Sequence, residues 1–94
     1  MTIEQFTEST REATPPTDLT EPLKALWYAG KGEWTRAHEI IQDVETKTAY
    51  HIHAFLHRQE GDIKNAGYWY HRAGKGIPEK TISQEWKDIT KSLL

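Results

Sequence analysis

The chain is expected to be all-α, built from antiparallel helical hairpins, and three observations support that expectation. Apolar residues recur at intervals of three and four between residues 19 and 93. Glycines interrupt the pattern at Gly30, Gly32, Gly61, Gly74 and Gly76. No segment shows the strict apolar–polar alternation of a half-buried strand.

Residues 1–17, "MTIEQFTESTREATPPT", are polar, rich in Thr and Glu, and end near Pro15-Pro16, which disfavours helix in the residues before it. A flexible arm is expected there, although Ile3 and Phe6, three apart, suit an extra helical turn packed on the body. A single helical domain should follow over residues 18–94. In its first hairpin, about residues 18–45, Leu19, Leu23, Leu26 and Trp27 share one face, with Thr20 or Asp18 as cap and Pro22 in the first turn. Gly30 and Gly32 should stop that helix. Trp34, Ala37, Ile40, Ile41 and Val44 then form the stripe of a second helix.

The second hairpin is expected at about residues 47–75. Its first helix, 48–60, aligns Ala49, Ile52, His53 and Leu56 and ends at Gly61-Asp62; its second, 63–73, aligns Ile63, Ala66, Tyr70 and Ala73. Pro78 should open a capping helix over about residues 78–93, where Ile82, Trp86, Ile89 and Leu93 close the open end of the second hairpin. Glu79, Lys80, Gln84, Lys87, Asp88 and Lys91 fall on its solvated side.

Composition narrows the function. At 94 residues the chain is a single domain, and one of this size hides only about 60–65% of its unfolded surface. Four Trp, four Tyr and two Phe therefore supply much of the core, while 28% charged residues suit thin amphipathic helices. A net charge of −2 and a pI near 6.2 offer no basic footprint for nucleic acid. With no cysteine, disulfides, thiolate nucleophiles and iron–sulfur clusters are excluded. The start "MTIEQFTEST" has neither the basic flank nor the apolar run of a signal peptide, and no stretch reaches the roughly 20 apolar residues of a membrane helix. A cytoplasmic protein with no membrane partner is expected.

Sliding the chain on itself by 29 residues lays "ALWYAGKGEWTRA" over "AFLHRQEGDIKNA". Ala25 meets Ala54, Gly32 meets Gly61 and Ala37 meets Ala66, while Glu33 meets Asp62 and Trp34 meets Ile63. Small residues let antiparallel helices approach, and Gly followed by an acid ends one helix and caps the next. In the second unit, Tyr50, His53-Ala54, His57, Ala66, Tyr70, Ala73 and Pro78 stand at the spacing of a tetratricopeptide repeat, which residues 47–80 resemble. The first unit keeps Ala25, Tyr28, Gly32, Trp34 and Ala37 but lacks the closing Pro. Residues 53–74 are also similar to small bacterial proteins of uncharacterised function carrying "HxxLHRxEGDxxNAxYWYxRAG". These resemblances imply a fold of two hairpins plus a capping helix, and no reaction.

The stretch "HIHAFLHRQEGD" holds three of the five histidines. His53 and His57, four apart on a helix, can both face one zinc ion, with Glu60 as the local third ligand and His38 or His71 as distal ones. The hairpin register does not bring the five histidines together, and the "HExxH" signature is absent. The plainer expectation places His53 and His57 half-buried within the hairpin, bonded to Tyr70, Asn65 or a backbone carbonyl. Ser9, Ser83 and Ser92 lack a nucleophile-elbow context, and the glycine pairs lack a phosphate loop's ending. "YWYHR" sets Trp69 and Arg72 on a flank away from Tyr70, with Trp69 expected against the last helix near Trp86.

The expected function is therefore a non-catalytic protein- or peptide-binding module or scaffold. If the family's geometry holds, His51, Phe55, Arg58 and Gln59 line its concave face, Arg58 taking a carboxylate and Phe55 an apolar side chain, with Trp69 and Arg72 as further anchors. A homodimer would deepen the groove. The alternative is a small zinc-binding protein or hydrolase using His53, His57 and Glu60, with no other cofactor.

Overall fold

The computed structural model describes residues 1–94 and is all-helical: α1 (Ile3–Ser9), α2 (Glu21–Lys31), α3 (Trp34–Ile41), α4 (Lys47–Gln59), α5 (Ile63–Arg72) and α6 (Ile82–Leu93). None of these helices is long and apolar enough to cross a membrane. α2 pairs with α3 and α4 with α5 as antiparallel hairpins, and α4 also rests on α2 and α3.

The two hairpins turn in the same way. Gly32 and Gly61 take left-handed φ angles of 88° and 90°, so no side chain is tolerated there without strain. The amide after each glycine reaches back to the last turn, Glu33 N to Tyr28 O and Asp62 N to His57 O, both at 2.9 Å. Asp62 then caps α5 by accepting from Asn65 N at 3.2 Å, whereas Glu33 makes no such bond at α3. Thr20, Thr46 and Thr81 cap α2, α4 and α6 through their hydroxyls.

Several expectations are corrected. Residues 3–9 are not a loose arm: Thr2 and Gln5 close a capping box, and Phe6 is fully buried between α2 and α6 with its ring centroid 5.9 Å from that of Trp86. The arm is tied again where Trp27 Nε1 donates to Ser9 Oγ at 3.1 Å and Lys31 Nζ donates to the carbonyls of Thr10 and Glu12. One deeply buried ring outweighs a polar surrounding. Gly30 does not stop α2, which runs on to Lys31; a Cβ there would lie 2.6 Å from Trp86 Cζ2, so this glycine makes room for the indole. α3 ends at Ile41 and leaves Val44 in the following loop. α6 begins at Ile82, because Thr81 and not Pro78 offers the cap. Ile63, expected inward, is 50% exposed.

The last helix departs most from expectation. Trp86 and Ile89 are buried and Trp86 Nε1 donates to Leu26 O at 2.8 Å, but Ile82 is 38% exposed. α6 packs on α2, α4 and α1, and its backbone does not approach α5. It therefore covers the face of α2 and α4 expected to be an open groove.

Candidate functional site

Two polar clusters sit on opposite sides of α4. Residues two apart on an α-helix point about 200° away from one another, so His51 and His53 face different neighbours. On the side covered by α6, Glu85 is only 2% exposed. Its carboxylate accepts from Tyr70 Oη at 2.7 and 2.8 Å and from Arg58 Nη1 at 2.8 Å, with His51 Nε2 at 3.3 Å. Arg58 also donates to Lys80 O. Burial alone would raise the Glu85 pKa, yet the bonds from His51, Tyr70 and Arg58 outweigh it and hold the carboxyl below its ordinary range. Burial, then the bond and charge of Glu85, push the Tyr70 phenol up.

This arrangement reassigns four of the six expected partner-binding residues. Phe55 is fully buried, so it cannot hold an external side chain. His51 and Arg58 fasten α6, and Gln59 Nε2 donates to Ala29 O at 3.3 Å. A cleft of about 560 Å³ opens beside Glu85, with His51 and Tyr70 also in its wall. Its acids are already partnered, Glu85 as described and Asp88 by Lys80 at 2.6 Å, and the network works as a fastening for α6.

On the other side, His53 and His57 project from α4 into a furrow between α3 and α5, whose backbones stay apart. α3 contributes His38. The Nε2 atoms of His38 and His53 lie 3.0 Å apart, and one ring nitrogen from each of His38, His53 and His57 falls within 4.8 Å of the others. Ring centroids of His57 are 4.9 Å from His53 and 5.3 Å from His38. The convergence expected to be absent is thus present for three of the five histidines; the short α3–α4 loop brings the face of α3 that carries His38 over α4.

Indole rings brace this cluster. Trp34, one turn before His38, stacks on it at 4.8 Å and 13°, and donates from Nε1 to Leu56 O at 2.6 Å. Trp69 stacks on His53 at 3.9 Å and 19°, so it packs there and not against α6. Glu60 Oε2 lies 2.7 Å from His57 Nδ1; a carboxylate acceptor places the proton on Nδ1 and leaves Nε2 with its lone pair. Burial brings His53 down to about 4, assisted by the charges of His38, His57 and Arg72. His38 is lowered too, by burial and then by His57, against the opposing pull of Glu60 and Glu39. In both, burial disfavours the protonated form.

Arg72 is exposed and Trp69 half-buried. The Arg72 guanidinium lies 4.4 Å from the Tyr50 ring centroid and 4.9 Å from that of Trp69, and Tyr68 beside them is 59% exposed. A second acid-bearing group, His57, Glu60 and Asp62, shares only His57 with the cluster, and both carboxylates are exposed. His71 is exposed and belongs to neither group.

Fold and site define a class: a small six-helix protein with a three-histidine furrow on one side of α4 and a buried carboxylate on the other. No family model, no curated protein and no solved structure matches the chain.

Proposed function

We propose that the chain is a helical-hairpin protein that binds a divalent transition-metal ion of the zinc class through His38, His53 and His57. The observation that carries this reading is the 3.0 Å approach of two Nε2 atoms from different helices, with a third imidazole alongside. Two neutral imidazoles this close share one proton; a tetrahedral zinc ion bonded to both at about 2.0–2.1 Å would hold them about 3.3 Å apart. An all-imidazole donor set suits zinc, copper or nickel and disfavours calcium and magnesium. Glu60 then orients His57 as an outer carboxylate, a different role from the direct ligand that its spacing suggests.

The test is thermal unfolding of metal-free protein at neutral pH, with and without zinc. An ion held at a hundredfold excess over its dissociation constant adds about 2.7 kcal/mol, which moves the midpoint of so small a domain by on the order of ten degrees or more. The rise should vanish in His38→Ala, which a site built from His53, His57 and Glu60 would survive. Absence of any shift with zinc, cobalt and nickel would refute the proposal.

A second reading, a tetratricopeptide-like interaction module, is favoured by the Tyr50, Tyr68, Trp69 and Arg72 group, in which Tyr68 and Arg72 are exposed and the other two half-buried, since Tyr, Trp and Arg dominate interface energetics. Its binding surface is then the α5 flank, with a protein, a peptide or a second copy of the chain as the partner. Concentration-dependent sedimentation of wild type and Tyr68→Ala tests the homodimer form: a dimer that persists in the variant counts against this surface.

A further inference from the structure

Resting on the metal reading, we infer that the centre is of the open kind: three protein ligands with a fourth position left to water or a small anion. Zinc sites divide by this count, structural ones being closed by four protein ligands and reactive ones keeping a position free.

The donors run out at three. The set that can converge on one ion contains His38, His53 and His57 and no acid. Glu60 is already engaged with His57 at Nδ1 and is absent from that set. Bringing it to the metal would cost His57 its orienting partner. The chain has no cysteine to substitute.

The three donors differ in exposure. His53 and His57 are only 5% and 6% exposed while His38 is half-buried, so a fourth ligand would approach along the His38 side of the cluster, between α3 and α5. Trp34 and Trp69 lie flat against His38 and His53, so they hold the imidazole planes without offering a competing donor to the ion.

Charge selects an anion. Imidazoles bind metal as neutral bases, so a divalent ion in this site keeps its two positive charges. The Arg72 guanidinium, 4.9 Å from the Trp69 ring that stacks on His53, adds a positive charge nearby. Hydroxide derived from bound water, carbonate, or a short carboxylate fits that field, because a metal-bound water ionises near neutral pH when three imidazoles hold the ion.

Cobalt-loaded protein tests this, with azide as the probe anion. The visible bands of cobalt report its coordination sphere, and azide should change them saturably in wild type. Cobalt bands that form but ignore azide would overturn the open position while leaving metal binding intact. Absence of the bands would overturn both. Glu60→Gln separates the remaining possibility: cobalt should bind more weakly, because His57 loses its orienting carboxylate, with azide still shifting the bands once the metal is saturating, whereas an azide response appearing only in that variant would make Glu60 the fourth ligand and refute the inference.

Discussion

His51 and His53 stand two residues apart on one helix and live in opposite surroundings. His51 meets a buried carboxylate that Tyr70 and Arg58 also serve, so both oxygens of Glu85 have partners from within the chain. His53 meets two more imidazoles and an indole face, and the cluster has a single carboxylate at its edge. Buried polar groups that satisfy one another need no ligand to explain them. Neutral bases turned toward each other are an arrangement that an added cation completes.

Removing Glu85 should have the largest effect. Glu85→Ala strands a half-buried guanidinium and a buried phenol, and breaking a buried pair from one side costs about 3–5 kcal/mol. Urea denaturation would measure it, and zinc binding should persist wherever the variant remains folded. If the loss is under about 1 kcal/mol, the network is not what fastens α6, and the contrast between the two sides of α4 weakens.

Gly30→Ala comes next. The new Cβ would press on an indole whose nitrogen is already committed to Leu26 O, so the ring has little freedom to retreat. Overpacking of this kind costs about 1–3 kcal/mol. A neutral result in the same denaturation experiment would mean that α6 shifts easily on α2.

That glycine also shows what a sequence conceals. Gly30 and Gly32 look alike as helix breakers, but Gly32 needs its left-handed φ while Gly30 needs a missing side chain opposite Trp86, a residue 56 positions away. The hairpin turns were legible because Gly followed by an acid is a local signal. The all-helical class was legible from periodicity. Phe6 was legible only as an alternative to a flexible arm, since two apolar residues three apart in a polar segment make too short a pattern to decide. His38 was named only as a distal candidate, no better placed than His71, because its position over α4 depends on how one hairpin leans on the next, and the covering of Phe55 and Arg58 was missed because either apolar face of the second hairpin could have received α6.

The two sides should also part company with pH. His53 and His38 are depressed in the folded metal-free protein, whereas an unfolded histidine titrates near 6.5. Between that value and about 4 the unfolded chain binds protons that the folded one refuses, so stability falls as the solution is acidified through this window. Glu85 acts in the same direction but in a lower window: its carboxyl is held below its ordinary range, and its contribution is lost only under more acid conditions, as pH drops through that lowered value. Denaturation midpoints from pH 7.5 to 4.5 would reveal the histidine limb, and His53→Phe should flatten it. A limb that persists when His38→Phe is combined with it would place the titrating group outside the furrow.

The smallest effect belongs to Arg72, and it tests whether the furrow's outer rim is free. Its guanidinium rests over Tyr50 and Trp69 and donates to Tyr50 Oη at 3.3 Å, with no acid as partner. A cation–π contact near solvent contributes about 0.5–1 kcal/mol, so Arg72→Ala should cost no more than that in urea. Its removal should also tighten metal binding modestly, because a positive charge near His53 disfavours a second cation. Titration with zinc would read that change. Weaker binding in the variant would show that Arg72 steadies Trp69, and through it the His53 ring, more than its charge opposes the ion.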